Sequence, residues 1–477
     1  MVRLALLYAV CFGIAVYAWK DWFKSLCGLI LLAAVIQHPD IPKTMFGLQG
    51  LNPWNILLFI VVLSWARNRG VEELSWDLPR DITILLLLYL SVVVVGFYRM
   101  MTDQAFLLAN PAVGLASEYL INTVKWVVPG LLLFDGSRSR SRFTLAIFCV
   151  LAVYLLLGVQ VIRWMPPSVA LSGQELSARS LKILVNEVGY HRVNLSMMLA
   201  GASWAWIAIL VLGKLDIHRV LIFTAFLALA YAQALTGGRM GYATWGLVGL
   251  VLALIRWKKV LLLVPITILV VISVVPGVGE RMAQGFSTDT RDSGPAVADF
   301  QGGDLQGADL YTVTAGRNIA WHFVVKKIKE APVFGYGRMA MQRTGLTDML
   351  YDQYGEEFPH PHNAYLEMLL DNGLVGFLLV VPFYIVILHH GISLFRDSQD
   401  PVFVSIGGVS CALVLALLVA SMGSQTFYPR EGSIGMWCSI GLLLRVYVER
   451  SRGFSWEKKE SPGPDDGMFW TREPESR

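Results

Sequence analysis

Long apolar runs separated by short polar breaks recur along nearly the whole chain. In lipid such a run leaves no backbone polar group unpaired only as a helix or in a closed barrel, and these runs lack the alternation of barrel strands. They predict spans at about 4–19, 24–37, 54–66, 82–98, 118–134, 143–162, 194–213, 220–236, 240–255, 260–276, 373–390, 403–421 and 433–447, with ends set by charge and turn residues. That makes about thirteen, or twelve if the short second segment is re-entrant. The predicted fold class is all-α: a polytopic integral membrane protein of about 12–13 transmembrane helices with one large outer loop carrying short helices. The predicted divisions are a membrane bundle of about ten spans over 1–276, the loop over 277–362, membrane helices over 363–450, and a charged, proline-containing tail over 451–477, expected to be disordered.

The pattern is most informative over 359–388, PHPHNAYLEMLLDNGLVGFLLVVPFYIVIL. Two X-Pro steps hold the chain extended up to Pro361, because the residue before a proline is pushed away from helical angles. A helix can then start at once, with Asn363 as its N-cap. Asn363, Glu367 and Asp371 recur every four residues and form a polar stripe, while Leu366, Leu369 and Leu370 face away. Gly373 and Gly376 mark where polarity stops. The stretch presents His362 at a membrane surface, on a helix start whose free amides favour an anion.

Composition agrees with the pattern: 55% of the 477 residues are hydrophobic and 16% are charged, against about 25% charged in a soluble domain. The five cysteines, Cys11, Cys27, Cys149, Cys411 and Cys438, lie inside apolar runs and read as packing residues. The start of the chain resembles a signal peptide but has no small-residue cleavage site, so a retained first span is expected.

The net charge of +4 says less than its distribution. Arg67, Arg69 and Arg80, then Arg138, Arg140 and Arg142, then Lys214 and Arg219, then Arg256, Lys258 and Lys259 fall in alternate loops. Basic residues accumulate on the cytoplasmic side, which turns the remaining loops outward. Three outer connections stand out: 163–193, the reversal LTGGRMG at 235–241, and the long loop 277–362. Within the last, 287–309 is rich in Gly and Asp and reads as a solvated loop. Residues 317–329 have apolar positions at helical spacing, suited to a helix lying on the outer membrane surface, and APVFGYGR at 331–338 breaks it.

This orientation gathers Arg239, Arg317, Arg338 and His362 on one side. Arginine binds phosphate bidentately and is always charged, so two or three on one spot suit a diphosphate. A histidine with its ordinary pKa near 6.5 can take a proton from a sugar hydroxyl. Arg239 could be an interface anchor, but Gly237, Gly238 and Gly241 leave its backbone bare for close approach. Arg317 at a helix start opposes the dipole unless an anion is near, and Arg338 after its turn could equally be solvated. Lys125 inside the fifth span needs a partner or a wet cavity, with Glu118 two turns earlier one candidate. Asn363 and Arg192 complete the candidate binding residues, Arg192 with His191 being interface-like at the seventh span, and His360 reads as a loop residue. No Walker loop, HExxH, CxxC or GxSxG is present, nor an outer carboxylate pair of metal-binding spacing. Catalysis without metal or cofactor is therefore expected, and nucleic acid is not a partner.

HPHNAYLEMLLDNGLVG, GRNIAWHFVVKKIKEAPVFGYG and LTGGRMGYATW, in this order and spacing, resemble the three signatures of the O-antigen ligase and polymerase superfamily of bacterial inner-membrane proteins, over roughly residues 190–390. The resemblance implies a metal-independent, inverting glycosyltransferase in the inner membrane with its active site facing the periplasm. Its donor would be an undecaprenyl-diphosphate-linked glycan, and its acceptor a lipid, protein or glycan hydroxyl. Arg239 and Arg317 would hold the diphosphate and His362 would activate the acceptor. Gly238 stands where the family often has Ser, and Trp321 where it often has Leu. Two other readings stay open: a transporter for a small anion or lipid-linked glycan, which would place polar groups mid-membrane as only Lys125 does, and a non-catalytic scaffold.

Overall fold

Helices make up almost all regular structure in this computed structural model, which describes residues 2–263, 269–270, 273–283, 317–355, 357–397, 400–423 and 425–452. Among these residues, the strands form a single two-residue antiparallel ribbon, Thr44–Met45 with Leu48–Gln49. Six helices are long and apolar enough to cross a membrane: Arg80–Met101, Arg140–Trp164, Arg192–Leu212, Asp216–Leu235, Ala364–Arg396 and Pro401–Ala420. Shorter apolar helices are Arg3–Ala18, Trp22–Leu32 and Arg239–Ile255; Pro53–Arg69 and Ile434–Ser451 fall on two further predicted spans. The chain is an all-α, multi-pass membrane protein. The predicted span 260–276 lies partly, and the segment 287–309 and nearly all of the tail wholly, outside the described residues.

Small residues set the centre of the bundle. A Cβ on Gly201 would lie 2.8 Å from the Ala416 methyl, and one on Gly408 2.5 Å from that of Ala208. Close backbone approach of this kind holds helices together where lipid and side chain are equally apolar. Pro401–Ala420 is accordingly the most enclosed of the six, 83% buried.

One predicted span is not continuous, and the helix leading into another is broken where that span begins. The one expected over 118–134 is a π-helix, Ser117–Ile121, a short helix Asn122–Val124, a turn at Lys125, and a new helix Val128–Gly136. Pro129 sits in the first turn of that last helix, a position where its missing N–H costs nothing; further inside, it would break the ladder. The helix over Ala364–Asp397 is interrupted at Gly373, at φ 63° and ψ −167°.

The turn at 331–338 fills this interruption. Leu374 N–H donates to the Pro332 carbonyl at 2.8 Å and Val375 N–H to Val333 at 3.1 Å, while Tyr336 N–H donates to Leu370 at 2.9 Å and Gly337 N–H to Asp371 at 2.6 Å. Amides and carbonyls freed by the break thus find partners, as buried backbone groups must. Glycine is required on both sides: a Cβ on Gly373 would lie 2.3 Å from the Val333 carbonyl oxygen, and one on Gly335 2.5 Å from that of Leu370.

The helix Arg317–Glu330 forms as expected, but its apolar face does not lie on lipid. Ile319, Ala320 and Val324 pack with Ala340, Met341, Leu350, Phe358 and Leu370 in a separate small core. Leu370 belongs to the predicted leucine face, so that face meets this core. The long connection between the predicted tenth and eleventh spans also contains Pro276–Ala283, Ala340–Arg343 and Leu346–Tyr354.

Ion pairs gather several basic loops on one face. Asp77 contacts Arg138 at 2.8 Å, Arg452 at 2.8 Å, and Arg445. Asp135 pairs with Arg69 at 3.0 Å, and Glu72 with Arg142 at 2.6 Å. Burial would raise the Asp77 carboxyl, but the Arg445 and Arg138 guanidiniums outweigh it and hold the group below the usual carboxylate range.

Candidate functional site

On the face opposite these loops, the short segment 421–423 joins the three predicted elements. The Ser421 carbonyl accepts from Ala364 N–H at 2.8 Å, fixing the start of the helix that follows His362. The Gly423 carbonyl accepts from Arg317 Nη1 at 3.2 Å. Gly423 also lies flat against Met240, whose Cγ would be 2.3 Å from a Cβ there, so it touches the residue next to Arg239. Arg239, Arg317 and His362 are thereby gathered round one short segment.

Each arrives by a local device. The turn before Arg239 needs Gly237 at φ +68°. Gly241, however, is not bare for a ligand: a Cβ there would overlap the Ser196 hydroxyl, and Gly238 also abuts Ser196. The glycines bring Arg239 against the Arg192–Ala208 helix, which corrects the reading of an open backbone. Arg317 begins its helix, and burial followed by the nearby Arg239 charge lowers its pKa. Two guanidiniums held this close raise each other's cost until an anion arrives.

The segment carrying His362 is clamped from both sides. Trp321 Nε1 donates to the Pro361 carbonyl at 2.8 Å, and the Asn363 side chain accepts from the amides of Tyr365 at 3.0 Å and Leu366 at 3.2 Å. Asn363 is thus the N-cap that was expected, and its oxygen is engaged there rather than offered to a substrate. His362 sits at φ 52°, a left-handed conformation that a side chain with a Cβ seldom adopts. Burial, then His360, Arg317 and His191, pull its pKa down to about 3. The imidazole is therefore neutral at pH 7.

The remaining candidates spread round this centre. Arg192 Nη1 donates to the Ser177 hydroxyl at 2.9 Å and carbonyl at 3.2 Å, which ties it to the Gly173–Ile183 helix; its charge still reaches the Arg239 and Arg317 neighbourhood. Arg338 lies apart, its guanidinium 3.7 Å above the Tyr428 ring and 5.1 Å from that of Tyr119, so it is held against the loop rather than solvated. Tyr428 in turn donates to Asp371 at 2.9 Å. Lys125 donates to Asn55 Oδ1 at 3.1 Å and lies 4.6 Å from the Trp126 ring. Glu118 accepts from Asn122 at 3.0 Å and makes no contact ion pair with Lys125 among the described residues, although its charge still acts on the ammonium.

Several residues at the site carried little or no signal in the sequence. Arg281, on the short helix Pro276–Ala283, has its pKa lowered by burial and adds its charge to those of Arg192 and Arg239; it reads there as one more loop arginine. His360 contacts His362 directly, with ring centroids 4.1 Å apart. Segment 421–433 looks like a plain connection, yet it supplies Ser421, Gly423, Tyr428 and Glu431, the last accepting from Asn194 at 3.1 Å.

The profile of the family described as O-antigen ligase matches residues 223–381. That range contains Arg239, Arg281, Arg317, Arg338, His362 and Asn363 and leaves out Lys125 and Arg192. A Rickettsia conorii protein whose name proposes it as a polysaccharide ligase is 29% identical over 187 residues, covering 37% of this chain and 40% of that protein. The match therefore spans well under two thirds of the relative. The stretch that matches contains the two arginines and the histidine, and over residues 223–381 the chain is similar to the O-antigen ligase family.

Proposed function

We propose that this protein is a glycosyltransferase of the bacterial inner membrane that moves a glycan from undecaprenyl diphosphate to an acceptor hydroxyl on the periplasmic face. The acceptor is a lipid, a protein or another glycan. Arg239 and Arg317 hold the diphosphate, with Arg192 and Arg281 adding to the positive field. His362 takes the proton of the acceptor hydroxyl as its oxygen attacks the anomeric carbon. The bond from that carbon to the diphosphate oxygen breaks, the lipid diphosphate leaves with the electron pair, and the configuration inverts.

The observation that carries this reading is the meeting of Arg239, Arg317 and His362 around residues 421–423. An imidazole with a pKa near 3 is a weak base, but part of the depression comes from Arg317. A diphosphate on Arg317 neutralises that charge and removes its share of the depression, so the base gains strength when the donor is in place. A transporter would need its polar groups at mid-membrane, and Lys125 there is already engaged by Asn55 and the indole rings.

The test is transfer from a lipid-linked glycan by the purified full-length protein. Arg317→Ala and His362→Ala should abolish transfer while the protein still accumulates in the membrane, and full activity in both would remove the proposed site. Deletion in the source organism separates the two outcomes of transfer: accumulated finished chains mean ligation, accumulated single repeat units mean polymerisation.

A further inference from the structure

We infer that His360 is a positioning residue for His362: its unprotonated Nδ1 accepts the His362 backbone N–H and so holds the histidine in its left-handed conformation. The inference rests on the reading of His362 as the base. The contact is 3.2 Å from nitrogen to nitrogen, and the two rings lie 4.1 Å apart at 50°. Pro361 between them fixes its own φ, and its carbonyl is taken by Trp321. The chain from 360 to 363 is thus pinned at three consecutive points, ending on the Asn363 cap, and the strained residue lies inside that clamp. Strain of this sort persists only where the surroundings over-determine it, which is typical of reacting groups.

The geometry dictates a tautomer. Only a nitrogen without a proton can accept, so His360 carries its hydrogen on Nε2 and must be neutral. A second proton would set Nδ1–H against the His362 N–H and free the turn to relax. The charged and titratable groups that act on His360 are Arg317 from the outer helix, Arg430 from the 421–433 segment, Glu367 from the helix that follows, and His362 itself. The two arginines resist its protonation and Glu367 favours it, while burial, the largest influence, keeps the ring neutral.

Two substitutions in the full-length protein in lipid nanodiscs, assayed for transfer from the lipid-linked donor, separate accepting from packing. His360→Asn keeps an acceptor near the Nδ1 position without a ring or a titration, and His360→Phe keeps a ring without an acceptor. The Phe variant is expected to lose about tenfold or more in kcat with the donor KM within about twofold, and the Asn variant to stay within about threefold of the parent. Equal loss in both variants, or a fully active Phe variant, would overturn the inference. His362→Ala is the separate check: its retained activity would instead remove the reading of the base. Nitrogen-15 NMR of the histidine rings gives a readout that needs no variant to fold. At pH 7 His360 should show a proton on Nε2 and none on Nδ1, and the opposite tautomer would overturn the proposal.

Discussion

The indole of Trp321 donates to the carbonyl of Pro361 at 2.8 Å, stitching the helix that starts at Arg317 to the turn that presents His362. The distance between the arginine and the histidine is therefore set by one hydrogen bond as well as by the packing of the small outer core. Trp321→Phe keeps most of the apolar contact and removes the donor. Activity should fall by about five- to tenfold, the size expected when one buried carbonyl loses its partner, with thermal stability little changed. Loss of folding instead would mean the indole matters chiefly as core.

The protonation of His362 predicts a difference between two pH profiles. In the free protein its pKa is pulled down to about 3, so kcat/KM should show no acid limb from this residue above about pH 4. With donor bound, the diphosphate offsets Arg317, and the limb in kcat should move to higher pH. A kcat limb at lower pH than that of kcat/KM would contradict the proposed loading of the base.

The same depression has a sign for stability. An unfolded histidine takes up its proton near about pH 6.5, while the folded His362 does so only near 3. Acid therefore favours the unfolded chain, and stability should drop progressively as pH falls from about 6.5 toward 3. His362→Asn should flatten that part of the profile in detergent thermal unfolding, and an unchanged slope would count against a buried neutral ring.

Gly373→Ala should be strongly destabilising. Its φ of +63° with ψ of −167° is a region open essentially to glycine alone, and a Cβ would press on the Val333 carbonyl at 2.3 Å. A cost of about 2 kcal/mol or more is expected from strain and displacement together, with protease sensitivity appearing in 331–338. Gly246→Ala, inside the Arg239–Ile255 helix, is the milder comparison, because nothing lies within 4 Å of a Cβ there.

On the other face, Asp77 is shared by Arg138, Arg445 and Arg452. Asp77→Ala leaves the buried Arg445 with Glu449 as its remaining acidic partner, at 3.2 Å. A loss of about 3 kcal/mol is expected, read as a lower unfolding temperature, with transfer by the surviving folded protein unchanged. Reduced kcat at full stability would show that this face couples to the chemistry.

The sequence carried the parts of the fold that depend on local pattern. Asn363 caps a helix because two prolines fix the approach to it, and both can be read in order along the chain. Basic loops fell on alternate connections, and Asp77, Asp135 and Glu72 now tie two of those basic clusters to each other and to Arg445 and Arg452. What could not be read depends on who the neighbour is. Gly373 is indistinguishable from a packing glycine until the turn at 331–338 is seen against it, and Gly241 suggests an open backbone until Ser196 is seen to fill it. His360 looks like loop decoration because its partner, two residues on, is reached only through an unusual φ. Lys125 announced a charge needing company, but sequence spacing pointed to Glu118 where folding supplied Asn55 and Trp126.

The filled break at Gly373 bears on how the protein is made. Residues 331–338 leave the ribosome before 364–397, so the turn can already be in place when the later helix forms. Its carbonyls at Pro332 and Val333 then await the amides of Leu374 and Val375. A helix formed without that turn would keep those amides bare; completion of the second half of the membrane domain thus waits on the loop before it.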